Sequence, residues 1–371
     1  MLIAVDGFEG SAKHPVGVGR FEVELLKEMA RVDLENSYRI YTPSTPNSEM
    51  PRLSAKWKYK IPPIYKLWSQ VSLPSMLFFD RPKPDVFFAP VHYAPRYCPS
   101  PYVVGIMDLS FLFYPELFKK TDLYKLKNWT EYSVKAAKAV IAISNSTKND
   151  ILKAYSIEPD MVHVVYPGIR NEPKKIMEND TVLSKYDIKG EYILYVGTLQ
   201  PRKNIERLIE AFKILKKDLP TLKLVIVGKK GWLYDSIFEK VRSENLVDSI
   251  IFTGYVTEDE LATLYHKALC FCLVSLYEGF GFPVLEAMRE GVPVVASNTS
   301  SLPELVEKAG VLVNPEDAKD IARGIKSILI MNTKERKSLI EKGFEQVKKF
   351  TWENAARQTI QILEEVGNVQ R

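Results

Sequence analysis

Short apolar runs alternate with helix-period segments along nearly the whole chain, and this alternation constrains the fold more than any other feature. The runs in the first half are residues 2–6, 38–42, 85–89, 102–107, 139–144 and 162–166. Those in the second half are residues 192–197, 223–228, 250–254, 270–274, 293–297 and 310–313. Strands that alternate with helices form parallel sheets, and nearly continuous hydrophobicity indicates that both faces of each sheet are covered. The pattern therefore predicts an α/β protein with two doubly wound parallel sheets in series.

The chain is long enough for two domains, because 371 residues exceed the size at which one hydrophobic core usually stops growing. We expect an N-terminal Rossmann-like domain over residues 1–168 and a C-terminal one over residues 192–350. Residues 169–191, rich in Pro, Asn, Asp and Lys, are expected to form the linker. Residues 351–371 predict a capped amphipathic helix that could pack on either domain.

Composition excludes several classes of protein. Hydrophobic residues at 46% and charged residues at 26% are ordinary for a globular protein, so a disordered or fibrous chain is not expected. The first residues lack the pattern of a signal peptide, and no apolar run approaches the roughly 20 residues of a membrane span. We therefore expect a cytoplasmic protein. The three cysteines are too few for a disulfide framework, and Cys270 and Cys272 are expected to be buried thiols on one face of a strand.

Positive charge is concentrated in one stretch, although the net charge of +5 is mild. Residues 52–68 contain five cations and no acid, interleaved with Trp57, Tyr59, Tyr65 and Trp68. Residues 119–129 repeat this mixture more weakly. The stretch is either a solvated loop, a surface for anionic lipid headgroups or a charged acceptor, or a groove for single-stranded nucleic acid. We keep peripheral contact with an anionic membrane as a hypothesis and expect no nucleic-acid partner.

Two glutamates flank a loop that follows one of the predicted strands. The strand at 270–274 leads into a loop with Glu278, and Pro283 is expected to begin a helix that ends at Gly291. Glu286 is then predicted in the first turn of that helix. Ligands of open parallel sheets bind outside the carboxyl ends of the strands, where helix N-termini favour anions. The pattern therefore predicts a ligand site with two carboxylates, and two such domains create a cleft for a phosphorylated ligand.

The loop carries a family resemblance. The stretch "EGFGFPVLEA" resembles the two-glutamate motif of retaining glycosyltransferases of family four, which have the GT-B architecture of two facing Rossmann-like domains around an interdomain cleft. Further similarity lies in "GTLQPRKNIERLIEAF", "LVIVGKKGW", "FTGYVTEDELATLY", "VPVVASNTSSLPE", "GVGR", "MDLSFLFYPELF" and "IAISNSTKNDI". The resemblance covers essentially the full chain. It is closest in the second half, which looks like the sugar-nucleotide side of bacterial mannosyltransferases.

The resemblance implies roles on the donor side. Glu286 is expected to bind the ribose hydroxyls of a nucleotide diphosphate sugar, and Glu278 a hydroxyl of the donor sugar, because a carboxylate accepts two hydroxyl donors. Donor binding is also expected from the residues between these carboxylates: Phe280, Gly281, Phe282, Pro283, Val284 and Leu285. The same expectation holds for residues at other strand ends: Gly197, Thr198, Gly228, Tyr255 and Val256.

The diphosphate requires positive partners, which Arg202 and Lys203 supply at the end of the neighbouring strand. Asn204 is expected to cap the helix that follows them. The family more often has an arginine five residues before the lysine, where this chain has Thr198, so Arg202 is expected to substitute for it. Cations that stabilise the departing diphosphate should accelerate the reaction.

On the N-terminal side, Gly17 and Gly19 belong to a glycine-rich loop whose family role is contact with the diphosphate and the acceptor. Asp108, after the strand at 102–107, is expected either in the cleft or as a cap or turn residue. The main departure is Met107, because relatives usually have a histidine there that contacts the donor sugar. His14 and His92 lie in loops that could reach the cleft, but they are more simply interpreted as surface residues.

No Asp-x-Asp pair follows a predicted strand, and residues 257–260 are better interpreted as a helix capping box. We therefore expect neither a catalytic metal nor a cofactor beyond the donor substrate. The sequence predicts a retaining glycosyltransferase that moves a hexose, with mannose favoured, to a carbohydrate or lipid-linked acceptor. Two alternatives stay open: a sugar-nucleotide epimerase of the same fold, and a nucleotide-sugar-binding protein that has lost catalysis.

Overall fold

The computed structural model describes residues 1–13, 15, 17–63, 67–91, 93–170 and 179–368. The sequence predictions for His14, His92 and Tyr65 concern residues outside these ranges. The chain forms two compact units. The first unit contains Met1–Arg170 and the C-terminal stretch from Phe350 onward. The second unit contains the part of the chain between these two stretches, which ends at Lys349.

The first unit is built on a parallel sheet with helices between its strands. In chain order its elements are β1 (Leu2–Asp6), α1 (Val18–Val32), β2 (Ser37–Tyr41), β3 (Trp57–Lys60), α2 (Ser72–Phe79), β4 (Val86–Ala89), β5 (Tyr102–Ile106), α3 (Ser110–Phe113), α4 (Lys120–Ala136), β6 (Ala139–Ala142), α5 (Asn145–Tyr155) and β7 (Val162–Val164). The strand order is β3-β2-β1-β4-β5-β6-β7. The direction in which the chain adds strands therefore reverses between β1 and β4, and parallel sheets bind ligands at such a reversal.

Strand β3 lies in the basic segment, so this segment is not a solvated loop throughout. Trp57 of β3 is buried and stacks on Tyr38 of β2, with ring centroids 4.0 Å apart and planes 13° from parallel. Trp68 is also buried, and its indole Nε1 donates a hydrogen bond to Asp6 Oδ1 over 2.9 Å. These two aromatic side chains therefore pack mainly inside the unit and stabilise it there.

The C-terminal helix α14 (Trp352–Asn368) packs on the first unit, against α1 and the strands β4 and β5. The chain returns to this unit at Phe350, whose carbonyl accepts a hydrogen bond from Ile169 N over 3.2 Å. Gly168 lies so close to the start of α14 that an added Cβ would be 2.1 Å from Trp352 N. The sequence left open which domain this helix packs on. Its contacts place it on the first unit.

The second unit has a six-stranded parallel sheet. Its elements are α6 (Asn179–Lys185), β8 (Tyr192–Val196), α7 (Ile205–Lys216), β9 (Lys223–Val227), α8 (Asp235–Ser243), β10 (Ile250–Gly254), α9 (Glu258–Lys267), β11 (Cys270–Leu273), α10 (Phe282–Arg289), β12 (Val294–Ser297), α11 (Leu302–Val306), β13 (Gly310–Val313), α12 (Ala318–Leu329) and α13 (Thr333–Val347). The strand order is β10-β9-β8-β11-β12-β13, so the reversal lies between β8 and β11.

The predicted capping box of α9 is confirmed, because Thr257 accepts from the amide of Glu260 while the Glu260 carboxylate accepts from the amide of Thr257. Cys270 and Cys272 are buried thiols of β11. Among the described residues, no helix is long and apolar enough to cross a membrane. The same residues contain no cluster of three or more His, Cys, Asp or Glu side chains arranged to hold a metal ion.

Candidate functional site

The loops after β8 and β11 are tied together at the reversal point of the second sheet. The amide of Leu276 donates to the carbonyl of Arg202 over 2.9 Å. Asn204 has a left-handed backbone with φ of 57°, and its Nδ2 donates to the carbonyls of Val274 and Pro315. Asn204 stands at the predicted N-cap position of α7, but its side chain does not cap the helix. It instead joins the loops that follow β11 and β13.

Glu278 lies between the two predicted cations. Its Oε1 is 2.6 Å from Lys203 Nζ, and its Oε2 is 3.4 Å from Arg202 NH1. The side chains of Lys203 and Arg202 are each 14% exposed, and that of Glu278 is 8% exposed. Ser275 Oγ donates a further hydrogen bond of 2.6 Å to Glu278 Oε1. The reversal point therefore holds one buried carboxylate and two cations within direct contact.

Electrostatics favours the charged form of Glu278. Burial alone would raise the pKa of this carboxyl, but Lys203 and Arg202 outweigh burial and hold the pKa below its usual range. Because one carboxylate faces two cations, the cluster has a net positive charge at neutral pH. It can present cationic N–H donors and carboxylate oxygens to a ligand at the same place.

Two serines position the Glu278 backbone. The amide of Glu278 donates to Ser300 Oγ over 3.0 Å, and Ser301 Oγ donates to the carbonyl of Glu278 over 3.0 Å. Arg202 is held as well, because its NH1 donates to the carbonyl of Tyr277 over 2.6 Å. No role was predicted for these serines from the sequence. Both serines lie in the loop after β12, next to the reversal point, and this position is the feature that could have identified them.

Helix α10 begins one residue earlier than predicted, at Phe282, and Pro283 is its second residue. Glu286 is consequently in the second turn, not in the first turn as the sequence analysis predicted. Gly281 occupies the N-cap with φ of 119°, and an added Cβ there would lie 2.6 Å from Leu302 Cδ2. Backbone geometry and space thus both require glycine at this position.

Glu286 has a different environment from Glu278. It is half-buried, and its Oε2 accepts a hydrogen bond of 3.2 Å from the hydroxyl of Tyr265. Burial raises the pKa of Glu286, although Arg289 and Tyr265 oppose that shift. The pKa values of the two carboxyls therefore shift in opposite directions. Two adjacent cations lower the pKa of Glu278, whereas burial raises the pKa of Glu286, which has a hydroxyl partner.

The remaining predicted residues between these carboxylates are mostly buried. Phe280 is buried against Phe282, with ring centroids 5.0 Å apart, and Val284 and Leu285 have no exposed surface. The side chains of Val284 and Leu285 pack in the core, so their packing accounts for them without a ligand. Their proposed contact with a donor would have to use backbone groups.

The ends of β8 and β9 approach each other closely. An added Cβ on Gly228 would lie 1.9 Å from the carbonyl oxygen of Gly197. Thr198 is exposed, Val256 is buried, and Tyr255 is 66% exposed beneath Lys229 Nζ, which lies 4.6 Å from its ring centroid. The close approach of the two strand ends thus requires glycine at position 228, and an exposed aromatic ring lies at the same edge of the sheet.

The other predicted residues belong to the first unit. Asp108 Oδ1 accepts from the amide and hydroxyl of Ser110 over 2.9 and 2.6 Å, which matches the predicted turn alternative, since the N-cap of α3 is Leu109. Met107 is buried immediately after β5. Gly17 occupies the N-cap of α1 with φ of 55°, and an added Cβ on Gly19 would lie 2.6 Å from the Glu9 carbonyl oxygen.

Comparison with known families gives two matches in consecutive parts of the chain. The family described as Glycosyltransferase Family 4 matches residues 15–172, and the family described as Glycosyl transferases group 1 matches residues 180–346. The first stretch lies in the first unit apart from its last two residues, and the second lies within the second unit.

Individual proteins agree with these families. O-antigen chain mannosyltransferase B of Escherichia coli is 29% identical over 367 residues, which cover 94% of this chain and 96% of that protein. The serotype-specific mannosyltransferase WbdA of Escherichia coli is 33% identical over 232 residues, covering 61% of this chain and 28% of that protein. Sucrose-phosphate synthase from Thermosynechococcus elongatus shares the fold, with a TM-score of 0.76 at 20% identity and 99% of each chain covered. The chain therefore belongs to the group 1 glycosyltransferases of family four and has their two-domain GT-B fold.

Proposed function

We propose that this glycosyltransferase moves a hexose, with mannose favoured, from a nucleotide diphosphate sugar to a carbohydrate or lipid-linked acceptor, with retention of configuration and without a metal. The observation that carries the proposal is the cluster of Glu278, Lys203 and Arg202 at the reversal point of the second sheet. A carboxylate that accepts sugar hydroxyls and two cations that pair with phosphate are the groups that such a donor requires.

The two cations have the chemistry that departure of the diphosphate needs. Negative charge grows on the leaving group as the glycosidic bond breaks, and preorganised donors at that place stabilise the transition state. Lys203 and Arg202 are fixed by Glu278 and by the carbonyl of Tyr277, so little reorganisation is needed. Their contribution is therefore expected in turnover more than in donor binding.

Glu286 is proposed to hold the ribose hydroxyls of the nucleotide. Its carboxyl is half-buried and accepts one hydroxyl hydrogen bond, from Tyr265, and this preference for a hydroxyl donor supports the proposal. Two carboxylate oxygens can accept from both hydroxyls of a vicinal diol, whereas an amide offers one acceptor.

The favoured sugar comes from the relatives. Two of them are named as mannosyltransferases, and one of these is named for the O-antigen chain, a carbohydrate. Mannose as the donor sugar and a carbohydrate as the acceptor are proposed for this chain on that similarity. Retention is proposed from the family resemblance, and the anomeric configuration of the product, measured by NMR, tests it.

The test is turnover of a panel of nucleotide diphosphate hexoses with and without acceptor glycans, followed by mass spectrometry of the products. We expect one donor to lose its hexose to an acceptor. Conversion of the sugar nucleotide into an isomer without acceptor would favour the epimerase alternative. Donor binding without turnover across the acceptor panel would favour a protein that has lost catalysis.

Met107 gives the second alternative a direct test. The cluster around Glu278 is expected to supply most of the donor stabilisation, so the wild type should turn over donor despite its buried methionine. A positioned proton-transferring side chain typically contributes about a hundredfold to ten-thousandfold. If the wild type is inactive and Met107→His gains activity, catalysis has been lost in this chain.

Peripheral contact with an anionic membrane is proposed for the basic segment of the first unit. Arg52 and Lys58 are exposed there, whereas Lys60 lies 3.4 Å from the buried carboxylate of Asp80 and has a structural partner. The test is therefore Arg52→Glu/Lys58→Glu, with binding to vesicles that contain acidic lipids measured by sedimentation. We expect weaker binding by the variant, and equal binding by both proteins would contradict the proposal.

A further inference from the structure

Helix α2 of the first unit has apolar side chains on two opposite sides. Leu73 and Leu77 are fully buried and belong to the core of the unit. Val71 at the N-cap and Phe78 two turns later lie on the other side, where Phe78 is 57% exposed and its neighbour Phe79 is 76% exposed. No residue of α2 is charged. A helix at the surface normally has polar side chains toward solvent, so this outer side indicates a contact surface.

The side chains of Phe78 and Phe79, called the aromatic pair below, form one projection. Their ring centroids are 5.3 Å apart and their planes are 87° apart, an edge-to-face arrangement. The chain directly after them is anchored, because Asp80 is buried and its Oδ2 accepts from Arg39 NH1 over 2.7 Å. Arg81 NH1 donates to the carbonyl of Phe78 over 2.9 Å. The fold therefore holds the aromatic pair outward at the end of the helix.

Positive charge surrounds the aromatic pair. Residues 52–84 contain seven Lys and Arg residues, and Asp80 is the only acid among them. Arg81 and Lys83 are exposed directly after the pair. Lys60 of the edge strand β3 lies 3.4 Å from Asp80 Oδ1, which brings the basic segment to the end of α2. Because the Asp80 carboxylate is buried and paired, the exposed charges of this stretch are cationic.

An anionic bilayer matches this surface better than a protein does. The same stretch exposes three further large apolar side chains, which are Leu53, Ile61 and Leu67. Cations separate them in the sequence. A bilayer accommodates separate apolar side chains at the boundary between headgroups and acyl chains, and its acidic lipids attract the adjacent cations. A specific protein interface requires contiguous and complementary packing instead. Trp57 and Trp68, the tryptophans of the basic segment, are buried and cannot supply the aromatic contact.

We propose that the first unit inserts Phe78 and Phe79 into the headgroup region of an anionic bilayer, with Arg81 and Lys83 beside the acidic headgroups. The proposal rests on the membrane contact proposed above for the basic segment, and it adds the side chains that enter the lipid. A lipid-linked acceptor lies on the same surface, so insertion would keep the enzyme next to it.

Phe78→Ser/Phe79→Ser removes the apolar projection and leaves every charge in place. Binding is measured by sedimentation with vesicles of equal amounts of phosphatidylcholine and phosphatidylglycerol. We expect this variant to bind at least about tenfold more weakly than the wild type, because each buried phenylalanine contributes to the affinity for lipid. Its unfolding temperature should stay that of the wild type, since both side chains are more than half exposed.

Leu34→Ser is the matched control, because Leu34 is 74% exposed in the same unit but is flanked by the acids Asp33 and Glu35. This control should bind vesicles as the wild type does. Equal vesicle binding by Phe78→Ser/Phe79→Ser and the wild type would overturn the proposal.

Salt separates insertion from purely electrostatic contact. At roughly 1 M salt the Debye length falls to about 3 Å, so exposed charges are screened. The wild type should then retain part of its binding, whereas Phe78→Ser/Phe79→Ser should lose it. Loss of all wild-type binding at high salt would reject insertion and leave the contact proposed for the basic segment. Turnover with a water-soluble acceptor should be equal for both proteins, so failure of insertion is distinguishable from failure of the proposed reaction.

Phe79→Trp reports insertion directly. On addition of the acidic vesicles its emission should shift to shorter wavelength, and lipids brominated in the upper acyl chain should quench it more than they quench Leu34→Trp. Equal quenching of these two variants would contradict insertion. Sedimentation velocity without lipid tests the other occupant, a second copy of the chain. A wild-type dimer that Phe78→Ser/Phe79→Ser abolishes would overturn the proposal, because the aromatic pair would then be covered by protein.

Discussion

Substitution of Lys203 by methionine should destabilise the second unit, because the buried carboxylate of Glu278 then loses one of the two cations that stabilise its charge. The change removes the charge 2.6 Å from Glu278 Oε1 while keeping a side chain of similar length. Breaking a buried ion pair by removing one partner costs about 3 to 5 kcal/mol, because a buried charge is left without compensation. Arg202 at 3.4 Å and Ser275 at 2.6 Å remain beside Glu278, so we expect the lower end, about 3 kcal/mol.

The assay is equilibrium unfolding in urea, followed by circular dichroism and fluorescence so that separate unfolding of the two units is detected. Lys203→Met/Glu278→Gln should be more stable than Lys203→Met alone, because the second change removes the unpaired charge. Lys213→Met is the control. Its side chain is 53% exposed and pairs with Glu244 at the surface, where such pairs contribute about 0 to 1 kcal/mol.

The substitutions at positions 203 and 278 form a double-mutant cycle that can refute the coupling between these two side chains. If Lys203→Met costs no more than Lys213→Met, or if the effects of the two substitutions at 203 and 278 simply add, the two side chains are not energetically coupled. Glu278 and its cations would then not form one preorganised cluster.

Glu286→Gln should weaken binding of a nucleotide diphosphate sugar by about 1 to 3 kcal/mol, because the ribose diol meets one acceptor and one misplaced donor. Calorimetry checks this against the exposed control Glu239→Gln, and unchanged affinity would remove Glu286 from the site. Incubation with EDTA should leave turnover intact, and loss of activity that manganese restores would contradict metal independence. Burial raises the pKa of Asp6 from 3.8 to about 7. Between these two pH values the folded state binds more protons at Asp6 than the unfolded state does. The contribution of Asp6 to the free energy of unfolding therefore falls as the pH rises from 3.8 to about 7. As the pH rises from 5 to 8, the free energy of unfolding of Asp6→Asn should therefore increase by about 2 to 3 kcal/mol relative to that of the wild type. A difference between the two proteins that stays constant from pH 5 to pH 8 would refute the raised pKa of Asp6.

The sheets could be predicted from the sequence because apolar runs in buried parallel strands are nearly continuous. Each of the twelve predicted runs contains a strand, within one or two residues at the ends. Strand β3 was missed because its sequence, WKYK, alternates aromatic and cationic residues at the edge of the sheet. Such an edge strand buries one face only, so Trp57 is inside while Lys58 is exposed.

Local geometry at the candidate site was less accessible to sequence reasoning. Asn204 has the residue type and position of a helix cap, yet tertiary hydrogen bonds to Val274 and Pro315 determine its side chain. The contact of Glu278 with Lys203 and Arg202 joins residues about 75 positions apart. Only the strand order, which places β8 beside β11, brings them together.

Helix α1 has one feature that the sequence analysis did not use, a glutamate on its buried face. Glu22 lies on the same stripe of α1 as Leu25, Leu26 and Met29, which are buried. A glutamate at a core position of an amphipathic helix conflicts with the helical pattern.

The central claim, that Glu278, Lys203 and Arg202 form the donor site, is tested most directly by calorimetric titration of two ligands into three proteins. The ligands are a nucleotide diphosphate sugar and the corresponding nucleoside diphosphate, and the proteins are the wild type, Lys203→Met and Glu278→Gln. We expect Lys203→Met to weaken binding of both ligands, since both contain the diphosphate. Glu278→Gln should weaken binding of the sugar nucleotide by about tenfold, the loss expected for a hydrogen bond to a charged group, while the nucleoside diphosphate binds as well or better. Equal affinities of all three proteins for both ligands would contradict the assignment of this cluster to the donor.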